Sequence, residues 1–155
     1  MEIVIGSENK ILRAKSETVK EITPKVLSLI KDMKETLAQA ENGVGLAAPQ
    51  VGQNIRLFVV LEEIAKDGHT VFINPEITQV SKNLVTDEEG CLSLPDQWRE
   101  LGRPDRVTIK AADEAGRKFK IRVKGILARL MLHEVDHLNG MLFVDHLKQK
   151  SKKKK

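Results

Sequence analysis

The sequence predicts an α+β protein in which antiparallel strands surround one central helix, and three observations lead there. "ILARLMLHEVDHL" (126–138) carries apolar residues at helical spacing, and "RVTIKAADEAGRKFKIRVKG" (106–125) alternates apolar and polar residues on both sides of "DEAG". Short runs rich in β-branched and aromatic residues fill much of 56–80. Hairpins followed by a helix, without regular strand-helix alternation, form the α+β pattern. With 155 residues, 41% hydrophobic and 31% charged, the chain suits one domain with its own core. The expected division is a single domain over 1–147 and a lysine-rich tail over 148–155.

Residues 1–22 mix "EIVI" with "KILRAKSE" and read as an extended arm with a short turn of helix. "ITPKVLSLIKDMKETLAQAENG" (22–43) reads as a helix. Thr23 can cap it, Pro24 suits its first position, and Val26, Leu27, Ile30, Met33 and Leu37 recur three and four apart. Asn42 and Gly43 should end it. "GVGLAAPQVG" (43–52), with three glycines and a proline, reads as a tight shaped loop and not the interior of an element. "RLFVVL" (56–61), "TVFINP" (70–75) and "EITQV" (76–80) read as strands, with "AKDGHT" (65–70) as a turn. "EGCLSLP" (89–95) looks like a shaped segment outside any regular strand. Asn139 and Gly140 are a helix stop.

The formal charge of +4 is misplaced as a sign of nucleic-acid binding. Six lysines lie in the last eight residues, and the remainder has 20 basic against 22 acidic side chains. There is no tyrosine and one tryptophan, Trp98, so a stacking platform for bases is not expected. No secretory signal opens the chain and no apolar run approaches a membrane span. A lone cysteine, Cys91, allows no internal disulfide and suits a reducing cytosol. The expectation is a cytoplasmic protein that engages neither DNA nor membrane and works as a monomer.

"HEVDH" (133–137) carries the chemistry. On a helix, residues four apart share a face, so His133 and His137 can aim ring nitrogens at one ion with Glu134 beside it. Two core histidines satisfied by backbone groups are the alternative. A third ligand does not follow. The "HExxHxxG" pattern runs through Gly140 and then meets Phe143, and no glutamate lies beyond residue 134. An upstream residue is needed, and Cys91 is the candidate because a thiolate binds Zn²⁺ or Fe²⁺ strongly. Alone, that cysteine would read as a small buried hydrophobe.

"GVGLAAPQ" (43–50), "EGCLSLP" (89–95) and "HEVDH" (133–137) together resemble the three signature motifs of the peptide deformylase family, in the family's order. The resemblance extends from about residue 1 to 147 and implies a deformylase-like fold. It implies removal of the N-formyl group from the initiator methionine of nascent peptides, with Cys91, His133 and His137 as metal ligands and Glu134 as general acid and base. It also implies Gln50 and the Leu92 N–H as oxyanion donors. Gly45 would pair with the substrate, and Val44, Ile126, Leu130 and the stem of Arg129 would receive the methionine side chain. Glu89 and Arg103 would bridge and hold the cysteine loop, while Asp136 reads either as a support of the site or as a purely structural residue. The family commonly uses Fe²⁺, while Zn²⁺, Ni²⁺ or Co²⁺ can occupy the same ligands. Many relatives continue into a long C-terminal helix, whereas "LFVDHL" here leads into lysines. That run reads first as a solvated tail and, in the alternative, as a contact to ribosomal RNA.

Overall fold

The structure is a computed structural model that describes residues 1–146, so the expectation for the lysine tail lies outside the described residues. The chain runs from α1 (Lys10–Arg13) to α2 (Pro24–Gln39), β1 (Gly45–Ala47), β2 (Leu57–Val60) and β3 (Val71–Val80). Then come β4 (Leu84–Cys91), β5 (Leu94–Pro104), β6 (Arg106–Ala112), β7 (Lys118–Lys124) and α3 (Gly125–Leu138). One antiparallel sheet has the order β1-β2-β3-β6-β7, and a second consists of β4 and β5. The α+β expectation holds, with α3 packed on the large sheet.

The apolar run of β2 explains the layering. Phe58 and Val60 pack in one cluster with Met131 and Leu138 of α3, while Leu57 and Val59 pack in another with Ile30, Met33 and Leu37 of α2. A strand buried on both faces needs no polar alternation. Thr23 caps α2 as expected, its hydroxyl accepting the Val26 N–H at 3.3 Å. Leu27, expected on the apolar stripe, is instead exposed. At 3.6 residues per turn it lies roughly a quarter-turn off the stripe centred on Ile30, Met33 and Leu37.

Three local expectations change. Residues 45–47, read as loop, form β1, because Gly45 to Ala47 pair with Val60 to Phe58; only residues 48–51 make a 3-10 turn. β3 is one strand and not two, because Pro75 sits at a register shift between Ile73 and Glu76, where a missing N–H costs no ladder bond. Cys91, read as lying outside any strand, is the last residue of β4 and pairs with Leu94 across a Leu92-Ser93 turn. Glu89 already pairs with Arg99, so Pro95 to Trp98 bulge out opposite Gly90 alone. α3 ends as expected: Asn139 caps it and Gly140 has φ +75°. A Cβ on Gly140 would run into the Arg13 carbonyl.

Candidate active site

α3 presents His133 and His137 one turn apart, and the end of β4 brings Cys91 to them. Cys91 Sγ lies 3.2 Å from His137 Nε2, which lies 3.2 Å from His133 Nε2. The three ligand atoms all fall within 4.8 Å of one another. Zinc-ligand lengths of about 2.3 Å to sulfur and about 2.05 Å to nitrogen in a tetrahedron would separate ligand atoms by about 3.3–3.6 Å. The donors therefore fit one first-row cation, and the set of one thiolate and two imidazoles suits Zn²⁺ or Fe²⁺. Beside them Glu134 Oε1 is fully buried and has no hydrogen-bond partner among the described residues, an oxygen available to chemistry.

Glu89 organises this centre. Its carboxylate accepts from Arg103 Nε at 3.1 Å and Nη2 at 2.7 Å, from Arg129 Nη1 at 3.1 Å, and lies 2.8 Å from His133 Nδ1. The expected Glu89-Arg103 bridge is present. The contact to His133 was not expected, although a strand places Glu89 and Cys91, two apart, on the same face. With Nδ1 donating to Glu89, Nε2 of His133 is the ligand atom, the common carboxylate-histidine support of a metal. Asp136 accepts from Arg103 Nη1 at 2.8 Å and also meets His146 at 2.8 Å, so it holds the outer side of the same network.

Electrostatics follow from burial and these partners. Burial alone would raise the Glu89 carboxyl, but hydrogen bonds from His133 and Arg103 hold it well below its ordinary range. Burial pushes Glu134 up to about 7. His133 overcomes burial through hydrogen bonds to Cys91 and Glu89 and is raised well above 6.5, whereas burial and the neighbouring His133 charge depress His137. Gly45 lies against Glu134: a Cβ there would come 2.6 Å from Oε2. Gln50 is 1% exposed, and its Oε1 accepts the Ala47 N–H at 2.9 Å. That contact aims Nε2 at Ser93 Oγ (3.1 Å) and Cys91 Sγ (3.6 Å).

A cleft of about 440 Å³ reaches this centre. Its walls include ten of the eleven residues expected to hold the metal, assist the reaction or bind substrate: Val44, Gly45, Gln50, Cys91, Leu92, Ile126, Arg129, Leu130, His133 and Glu134. The eleventh, His137, is buried behind them. Ile126 is 69% exposed and offers an apolar surface on the cleft's wall. The Arg129 guanidinium is turned away to Glu89 and to the Val85 and Leu101 carbonyls, leaving its stem as wall. Trp98 stacks on bare Gly90, where a Cβ would sit 2.7 Å from the indole. Glu41, Glu88 and Asp96 give the cleft an acidic lining that no motif signalled.

Two imidazoles and a thiolate around one point, with a buried carboxylate beside them and a cleft leading in, define a metal-dependent hydrolase. The chain belongs to the polypeptide deformylase family, whose model matches residues 1–153. Peptide deformylase of Clostridium botulinum is 49% identical over 142 residues, covering 92% of this chain and 93% of that protein. That of Caldicellulosiruptor bescii is 47% identical, covering 89% and 80%. The crystal structure of a peptide deformylase from Synechococcus elongatus in complex with actinonin superposes with a TM-score of 0.86 at 38% identity, covering 94% of this chain and 78% of that one. The chain is thus a metal-dependent enzyme of this family, with its fold.

Proposed function

We propose that the protein removes the N-formyl group from N-formyl-methionyl nascent peptides, releasing formate, with Cys91, His133 and His137 holding one divalent cation. The observation that carries this reading is the buried, unpartnered oxygen of Glu134 beside three convergent donors. A bound cation supplies Lewis acidity, which lowers the pKa of a water and polarises the formyl carbonyl. Glu134 takes the proton from the attacking water and later gives it to the departing amine nitrogen. Burial raises its carboxyl to about 7, and a cation held beside it would lower it again, toward the ionised form that accepts the water's proton.

Gln50 Nε2 and the Leu92 N–H donate to the oxyanion as it forms. Gly45 belongs to β1, the edge strand of the large sheet, where a peptide can add as an extended strand. Val44, Ile126, Leu130 and the Arg129 stem receive the methionine side chain. Fe²⁺ is the native cation in this proposal, and Zn²⁺, Ni²⁺ or Co²⁺ would suit the same donors. A monomer in the cytoplasm belongs to the same reading, supported by a lone cysteine that a reducing compartment keeps as a ligand. Contact of the lysine tail with the ribosome rests on the tail's charge.

The test is formate release from formyl-Met-Ala-Ser by protein loaded anaerobically with Fe²⁺, beside Glu134→Ala with its metal content measured. Release should fall about 10²–10⁴-fold in the variant at equal metal. Metal-replete wild-type protein that releases no formate overturns the reading.

A further inference from the structure

The near-neutral charge of the body conceals a segregation. β6 and β7 carry six basic side chains, Arg106, Lys110, Lys118, Lys120, Arg122 and Lys124, and no acidic one. Their register sets Arg106 opposite Lys124, Lys110 opposite Lys120, Thr108 opposite Arg122 and Ala112 opposite Lys118. Residues opposite each other share a face, so all six lie on one side of the sheet. Ala112 joins the apolar cluster under α2, so this is the side that α2 covers over β1 to β3 and leaves bare here. Like charges directly opposite one another are destabilising. Among the described residues Lys110 alone of the six forms an ion pair, with Glu76 at 3.4 Å.

A cleft of about 790 Å³ opens at the end of this hairpin, where Arg106, Arg122 and Lys124 of the basic face meet Lys66, Val107, Val123 and Leu127 of the side packed on α3. Among the described residues no carboxylate lines it. A charged edge strand discourages pairing with other sheets. That purpose needs neither a cleft nor Lys66, which comes from the loop before β3. The active-site cleft has the opposite sign, with Glu41, Glu88 and Asp96 in its lining. Ile126 lines one cleft and Leu127 the other, so the two openings flank the first turn of α3.

We propose that the cleft at this end of the hairpin docks the phosphate backbone of RNA, bound through Lys66, Arg106, Arg122 and Lys124. The basic residues of β7 alternate along an extended strand, about 6.6–6.8 Å apart, which suits a linear polyanion. The cleft is concave, which suits a threaded strand better than a flat lipid surface. Among the described residues no aromatic ring lines it, so binding depends on charge and salt and not on base sequence. The choice of RNA among polyphosphates rests on the nascent-peptide reading above; the attraction to polyphosphate does not.

The test measures binding of the full chain to a short single-stranded oligoribonucleotide by fluorescence anisotropy between about 50 and 200 mM salt. Lys66→Gln/Arg106→Gln/Arg122→Gln should bind roughly tenfold or more weakly at low salt, with a slope of log affinity against log salt about 2 shallower. Its circular dichroism should match wild type. The same loss should appear in a background whose six tail lysines are serines. Equal binding by wild type and triple variant, a difference that vanishes in the tail-substituted background, or tighter binding to anionic phospholipid vesicles than to RNA overturns the proposal. Protein that binds RNA through this cleft yet releases no formate sinks the deformylase reading and leaves the docking surface standing.

Discussion

Glu89→Gln is the most informative single change. Each carboxylate oxygen serves two donors: Oε1 receives Arg103 Nε and Arg129 Nη1, and Oε2 receives Arg103 Nη2 and His133 Nδ1. Whichever oxygen becomes the amide nitrogen, two donors lose an ionised acceptor and face another donor. At roughly 1.5 kcal/mol for each lost charge-assisted bond, the expected destabilisation is about 3 kcal/mol. The low end of the range for breaking a buried ion pair is the right one, because Arg103 keeps Asp136 and Arg129 keeps two carbonyls. The pH dependence carries a sign. The Glu89 carboxyl is depressed below its ordinary 4.5 by its partners, against the effect of burial. Its contribution is therefore fully present above that value and is lost as pH falls through the acid range. Urea unfolding of metal-free protein, followed by far-ultraviolet circular dichroism, should show the full gap at neutral pH and a narrowing gap below about pH 4. Metal affinity should also fall about 10–100-fold, since His133 loses its support. A variant within about 0.5 kcal/mol of wild type at neutral pH refutes the reasoning.

Other outcomes follow from the same geometry. Gln50→Ala removes an oxyanion donor, so kcat for formate release should drop about 10²–10³-fold with little change in KM; a purely KM effect would reassign Gln50 to substrate binding. Gly45→Ala puts a methyl group 2.6 Å from Glu134 Oε2 and 2.8 Å from Leu130 Cδ1, so turnover should fall at least about tenfold while Fe²⁺ content stays unchanged. Unaltered turnover would show that Glu134 has room to move. His133 is raised above 6.5 and Glu134 to about 7, so a cation binding at about pH 6 should expel protons and affinity should climb with pH. Calorimetry in two buffers of different ionisation heat counts them, and zero proton release contradicts the protonation pattern.

Periodicity revealed the elements that have one buried face. The hairpin of β6 and β7 buries Val107, Ile109, Ile121 and Val123 and exposes Arg106, Lys110, Lys120, Arg122 and Lys124, with Thr108 the one buried exception between them, and most of that alternation is visible in the sequence. The sheet of β4 and β5 lacked such a signal because residues 84–88 are exposed on both faces, which leaves nothing to alternate. The ligand histidines were legible because their spacing is local. Cys91 needed elimination, and the Glu89-His133 contact, 44 residues apart, needed the fold. Net charge says nothing of placement: the near-balance of the body coexists with basic side chains gathered on β6 and β7 and acidic ones at the active-site cleft, an arrangement that no linear count resolves.

Trp98 has a practical consequence. It is the only tryptophan in a chain without tyrosine, half exposed on bare Gly90 at the active-site cleft. Indole emission from this protein is therefore a local reporter, with no background from the core. A ligand entering the cleft should move the spectrum without any label, while a melt followed by fluorescence would record the small hairpin letting go and could precede loss of the main sheet.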